Sequence, residues 1–154
     1  MALFDDLFAY NDWANHQLLA ITDDLTAAQL AAPMPELGGS TLDLLGHLAQ
    51  VEAAFLALMT GEERPQREDR PYDEVKALLV RNAAGYVSAL PRLYRRLGDN
   101  FEVPWFGRSF TIEQALTQVA THSVQHRAGI AAGIARAGLE APDLDYIIWL
   151  SEFR

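Results

Sequence analysis

Residues 111–138 read TIEQALTQVATHSVQHRAGIAAGIARAG, and this stretch predicts one long amphipathic helix. Thr111 followed by Gln114 forms a capping box at its start, and Gly138 is typical of the residue just past a helix end. Apolar residues recur three and four positions apart, so one side of the helix can be buried. We therefore expect a helix from Thr111 to about Ala137.

Three earlier segments show the same helical periodicity. The first runs roughly from Ala2 to Ile21, and the second begins at Ser40, which is set to cap with Asp43, and ends at Gly61. The third starts near Pro71 and ends at Gly98. Proline at position 91 is expected to kink or interrupt it. Four amphipathic helices predict an all-α protein with the architecture of a four-helix bundle.

The connections between these helices complete the predicted organisation, a single domain over residues 1–154. Thr60–Arg70 is polar and charged, and its eleven residues can reach about 36 Å, which allows a crossover between the second and third helices but does not require one. We expect the segment Asn100–Phe110 to form either a small hairpin or an ordered loop. The tail from Pro142 to Arg154 is apolar and is expected to pack back on the bundle.

Composition narrows the classes of function. Half of the 154 residues are hydrophobic, the formal net charge is -9, and there is no cysteine. A negative protein repels the phosphate backbone, so we expect no nucleic-acid partner. The basic stretch Arg64–Arg70 is interrupted by acids, and we interpret it as a solvated face. We find no leader and no apolar run approaching about 18 residues, so we expect no membrane partner and a cytoplasmic location.

Histidines form the strongest candidate for a functional site. His122 and His126 are four residues apart on the apolar face of the fourth helix, so two imidazoles can hold one ion. His47 flanks the apolar stripe of the second helix and can supply a third ligand, leaving a position open for water or substrate. Spacing alone leaves a second interpretation open, in which these are hydrogen-bonded core histidines. His16 lies off the inward face and is expected at the surface.

Three polar residues are also predicted to point inward. Asn11 and Asn15 lie one turn apart on the apolar face of the first helix, and Glu52 follows His47 by five positions. They can line a polar pocket near a metal, or the asparagines can simply bond neighbouring segments. Glu52 is a poor co-ligand because it lies about 140° around the helix from His47. It can instead accept a hydrogen bond from a metal-binding side chain, form a pocket wall or make a salt bridge between helices.

Four segments, taken in order, resemble the DinB family, also called DinB/YfiT-like. They read YNDWAN at 10–15, LGHL at 45–48 with Glu52 following, HSVQHRAG at 122–129 and PDLDY at 142–146. The resemblance implies an up-down-down-up four-helix bundle with a long crossover between helices 2 and 3. It implies a divalent metal ion, nickel or zinc most often, on His47, His122 and His126, and a homodimer.

The same resemblance bears on activity. Branches of this superfamily include S-transferases and isomerases that use bacillithiol, mycothiol or glutathione. It therefore implies a metalloenzyme, a thiol-dependent S-transferase that acts on a small-molecule electrophile with a low-molecular-weight thiol as cosubstrate. Two alternatives stay open: a metal-dependent hydrolase using a metal-bound water, with Glu52 as the candidate base, and a non-catalytic, stress-related protein that binds metal and interacts with partners.

Overall fold

The computed structural model describes residues 3–153, and most of them are helical. Six helices and two strands follow in chain order: α1 Leu3–Thr22, α2 Ala27–Leu30, α3 Thr41–Thr60, α4 Tyr72–Leu93, β1 Asn100–Val103, β2 Arg108–Thr111, α5 Ile112–Arg136 and α6 Tyr146–Phe153. Single 3₁₀ turns lie at Pro35–Leu37 and Tyr94–Arg96. The four long helices are those that the sequence predicts.

Both predicted capping boxes are confirmed. The Ser40 hydroxyl accepts the backbone N–H of Asp43 at 3.1 Å, and the Asp43 carboxylate accepts the N–H of Ser40 at 2.7 Å. Thr111 and Gln114 form the same reciprocal pair at the start of α5. Each pair satisfies backbone donors that a helix start would otherwise leave without partners.

The prediction of an all-α protein needs one correction. Strands β1 and β2 form an antiparallel hairpin in which Asn100 pairs with Thr111 and Val103 with Arg108. Of the two structures predicted for this segment, the hairpin is therefore the one observed. Its turn contains Gly107 at a φ of 58°, a conformation that suits glycine.

Helix α4, the third of the four predicted long helices, is shorter than predicted. It ends at Leu93 and continues as a 3₁₀ turn, so the predicted end at Gly98 was wrong by several residues. Pro91 lies in the last turn of α4, where the missing N–H removes only one bond near the end of the helix. The proline thus marks the place where the α-helix stops.

Helix α3 packs against both α4 and α5, and α1 packs against the same two helices. Along α3 and α4 the residue numbers of contacting pairs rise together, since Asn82 donates to the carbonyl of Ala49 and Tyr86 to that of Glu52. Along α3 and α5 they run in opposite directions. Gly129 lies beside Leu44 and Gly133 beside Thr41. Two larger apolar clusters fill the interior, around Leu45 and Ile130 and around Phe55 and Leu116, and a smaller one includes Tyr10 and Trp149.

Among the described residues, one segment, 35–60, is long and apolar enough by composition to cross a membrane, with a mean hydropathy of 1.4. Half of its apolar window is buried inside the protein. Helix α3 within it packs against two other long helices, and it carries Glu52, a charged residue that is only 1% exposed. These contacts are those of a core helix in a bundle.

The C-terminal segment packs back on the bundle, as predicted up to residue 153; Arg154 lies outside the described residues. Trp149 of α6 is 4% exposed and meets the ring of Tyr10 edge-on, with centroids 6.1 Å apart. The Tyr10 hydroxyl donates to the carbonyl oxygen of Leu144 at 2.6 Å. Helix α6 still leaves Ile147 and Phe153 largely exposed.

Candidate metal centre

Helices α3 and α5 bring His47, His122 and His126 together where they pack against each other. One ring nitrogen from each lies within 4.8 Å of those of the other two. The Nε2 atoms of His47 and His122 are 3.2 Å apart, and the ring centroids of His122 and His126 are 4.3 Å apart. The structure therefore places all three predicted ligands in one cluster. His16 lies at the surface beside Asp12, as expected.

The spacing fits a single divalent ion. Two nitrogens, each about 2.0–2.1 Å from a tetrahedral zinc ion, are about 3.3 Å apart, close to the observed separation of His47 and His122. Imidazole is also a good ligand for nickel and copper, so the donor set by itself does not select one of these ions.

The electrostatics of the cluster favour neutral imidazoles, which are the form that binds metal. Burial, followed by the neighbouring His126 and His47, lowers the pKa of His122 to about 4. The pKa of His47 is lowered first by burial, then by His126 and by the positive charge of Arg67. Burial also lowers the pKa of His126. Few protons therefore compete with a metal ion at neutral pH.

A surface cleft of about 430 Å³ adjoins the cluster and reaches His47 and His122. One part of its wall is apolar and comes from α3, α4 and the hairpin: Val51, Ala54, Phe55, Leu78, Trp105 and Phe106. The other part is polar apart from Pro65 and comes largely from the segment between α3 and α4: Gln50, Arg64, Pro65, Gln66, Arg67, Arg70 and Gln118. The cleft gives a small molecule access to two of the three imidazoles.

The arginines in this wall lie at the surface, as the sequence predicts. Arg64 and Arg67 are exposed, and the stretch Arg64–Arg70 also lies along the cleft, which the sequence analysis did not foresee. Charge composition alone could not show this, because the placement depends on how the segment crosses from α3 to α4. The side-chain amide of Gln50 donates to the carbonyl of Glu68 and ties the segment to α3.

Asn11, Asn15 and Glu52 form a buried hydrogen-bond network instead of a wall of this cleft. The Glu52 Oε1 atom accepts from Asn11 at 2.8 Å, from Asn15 at 3.2 Å and from the Ser123 hydroxyl at 3.1 Å. Arg127 donates from one Nη1 atom to the side-chain oxygens of both asparagines. The two amides thus bridge a buried carboxylate and a buried guanidinium, as the hydrogen-bonding interpretation predicts.

This network and the histidine cluster share the same part of α5, because Ser123 follows His122 and Arg127 follows His126. Burial raises the pKa of Glu52, while the bonds from Asn11 and Asn15 lower it. Arg127 is the partner that sequence reasoning missed. Its place four residues after Ser123 puts it on the same inward stripe, and this spacing was the available signal.

A helical bundle with three converging histidines beside a cleft defines a class of candidate metal-binding proteins. Comparison with known families makes the assignment specific. The chain belongs to the DinB family, whose model matches residues 1–152. A crystal structure of a DinB-like protein from Bacillus cereus ATCC 10987 superimposes with a TM-score of 0.73 at 18% sequence identity. The match covers 90% of this chain and 93% of that one, and at this identity it concerns the fold alone. A search of curated proteins found no match.

Proposed function

We propose that this protein holds a divalent metal ion, nickel or zinc, on His47, His122 and His126 and is a thiol-dependent S-transferase. In the reaction, the sulfur of a small thiol forms a bond to an electrophilic carbon, the bond to the leaving group breaks, and the thiol proton is released. The observation that carries this proposal is the cluster of three imidazoles, within 4.8 Å of one another, beside an accessible cleft.

The protein's own residues would bind and orient the reactants. When bound, the ion supplies Lewis-acid chemistry, which lowers the pKa of a thiol beside it. The three histidines would hold the ion from two helices, beside the cleft that reaches His47 and His122. Phe55 and Trp105 meet edge-on with ring centroids 5.6 Å apart and offer an apolar wall to the electrophile. Since the chain has no cysteine, the thiol has to come from a cosubstrate.

Two observations favour this proposal over its alternatives. A hydrolase needs a base near the attacking water, and Glu52, the candidate base, is buried among hydrogen-bond donors away from the cleft. A metal-binding protein without turnover needs no access to its ion, whereas the cleft reaches His47 and His122. Thiol transfer is therefore the function that we favour.

We also propose the up-down-down-up path for the four long helices. The rising residue numbers in the contacts between α3 and α4 support a parallel pair joined by the crossover at 61–71. The opposite order between α3 and α5 supports an antiparallel pair. The homodimer and the cytoplasmic location stay predictions. The exposed Ile147 and Phe153 of α6 are candidates for the dimer contact.

A thiol-consumption assay tests the proposal. Protein loaded with zinc or nickel is mixed with glutathione, bacillithiol or mycothiol and a chromogenic aryl halide. We expect at least one thiol to be consumed faster than with a His126→Ala variant, which lacks one ligand. His16→Ala is the matched control, since this exposed histidine lies outside the cluster and its loss should leave the rate unchanged. Equal rates with wild type and His126→Ala would refute thiol transfer at this site.

A further inference from the structure

The cleft beside the histidines carries a concentration of positive charge in a negatively charged protein. Arg64, Arg67 and Arg70 all line it, and none of its lining residues is acidic. The chain as a whole has a formal net charge of -9, so this local excess runs against the overall charge. A cleft lined by one sign of charge attracts ligands of the other sign.

The three arginines differ in how far their charge is already neutralised. Arg70 pairs with the carboxylates of Glu68 and Glu74, and its side chain is only 18% exposed. Within residues 3–153, neither Arg64 nor Arg67 forms an ion pair. The guanidinium of Arg64 lies over the ring of Trp105, 5.1 Å from its centroid. Two guanidinium groups in the cleft therefore remain available to a ligand.

The arginine segment, residues 64–70, is held against the bundle near its C-terminal end. Gln50 of α3 donates to the carbonyl of Glu68, and Arg70 reaches Glu74 in the first turn of α4. Arg64 lies over the Trp105 ring, and Arg64 and Arg67 line the same cleft as Phe55 and Trp105. The cleft thus combines a cationic side with an aromatic side, and it meets the imidazoles of His47 and His122.

We propose that this cleft selects an apolar small molecule that carries an oxyanion, a carboxylate or a phosphate monoester. The oxyanion pairs with Arg64 and Arg67, whose planar guanidinium groups match both kinds of oxyanion. The apolar part of the ligand packs against Phe55 and Trp105. The inference rests on the function proposed above, and it names the class to which the electrophile or the thiol belongs.

Binding of phenylacetate, benzyl phosphate and neutral phenylacetamide to chelator-treated protein tests the inference by calorimetry at low salt. Removing metal excludes direct coordination of the oxyanion by the ion. We expect at least one of the two anions to bind about tenfold more tightly than the amide, because two partly exposed ion pairs together contribute roughly that factor. The preferred anion distinguishes a carboxylate ligand from a phosphate ligand, and the preference should weaken as salt is added.

Variants of Arg64 and Arg67 test whether these two residues cause the preference for anions over the amide. We expect an Arg64→Gln, Arg67→Gln double variant to bind the anions no better than the amide, and the corresponding lysine double variant to retain part of the preference. The control is an Arg81→Gln, Arg92→Gln double variant, which removes the same charge from exposed positions on α4 outside the cleft. This control should keep the preference for anions. Equal affinity of wild type for anions and amide, or a glutamine double variant that keeps the preference, would overturn the inference.

The outcomes separate this inference from the proposed function. Anion preference in the metal-free protein without metal-dependent thiol consumption would contradict S-transfer alone. Thiol consumption without any anion preference would contradict the oxyanion site alone. Circular dichroism of each variant establishes that the bundle has folded before its affinity is compared.

Discussion

Individual residues on the inward faces of α3 and α5 divide into two chemical groups. His47, His122 and His126 form a cluster that the cleft reaches at His47 and His122, while Glu52 and Arg127 belong to the buried hydrogen-bond network. Because Glu52 and Arg127 are joined through two asparagine amides, each buried charge keeps polar partners. The network fixes α1, α3 and α5 relative to one another and so positions the histidines.

Replacing Asn11 with alanine tests the weight of this network. The change removes one donor to Glu52 and one acceptor from Arg127, and both charged groups are buried. We expect the free energy of unfolding of metal-free protein in urea to fall by about 1–3 kcal/mol. Gln17→Ala is the matched control on the exposed side of the same helix and should change it by less than about 0.5 kcal/mol. Equal effects of the two changes would show that the network adds nothing to stability.

Residue spacing predicted only part of this arrangement. Positions four apart placed His122 and His126 on one face, and the inward position of Asn11 and Asn15 was also correct. The approach of His47 to that pair depends on how α3 and α5 pack, and helical periodicity contains no such information. The choice between metal ligands and core histidines was open for the same reason.

Close approach of helices α3 and α5 depends on small residues of α5. A Cβ atom added at Gly133 would lie 2.1 Å from the Thr41 hydroxyl oxygen and 3.1 Å from the Met34 methyl carbon. At Gly129 the nearest atom would be a methyl carbon of Leu44, at 3.0 Å. Glycine at these two positions allows α5 to lie against α3 and brings the three imidazoles within reach of one another.

Gly133→Ala tests this contact. Alanine is the better helix former by about 1 kcal/mol, but overpacking of a tight interface costs about 1–3 kcal/mol. Because the contact with Thr41 is so short, we expect a net loss of stability in urea unfolding. Gly46→Ala is the control in α3, since its Cβ would meet only Val75 at an ordinary 3.8 Å and should leave stability unchanged or higher. Greater stability of Gly133→Ala would contradict the packing that we describe.

Helix boundaries were predictable where local chemistry decides them. The capping residues Ser40 and Thr111 and the terminal glycine Gly61 mark helix ends in the sequence and in the structure alike. The end of α4 was not predicted, because Leu93 is followed by residues that continue as a 3₁₀ turn. The hairpin was left undecided because its two strands of four residues are too short for a clear alternation.

At the scale of the whole molecule, the cleft arises from elements that are distant in the chain. Helix α3, the arginine segment that follows it and the hairpin before α5 all contribute to its walls. Composition predicted a negative protein and could not predict that three of its twelve lysines and arginines line one cleft. Helical spacing supplied the candidate ligands, the family resemblance favoured the metal interpretation, and the packing of α3 on α5 supplied their geometry.

Metal content of the purified protein tests the central claim most directly. After incubation with zinc or nickel and dialysis, elemental analysis should find about one ion per chain in wild type and in His16→Ala, as expected for a site of three histidines. His47→Ala and His126→Ala should each lose most of the metal while retaining the helical circular dichroism of wild type. A wild type that retains no ion, or a His126→Ala variant that retains as much as wild type, would contradict the account.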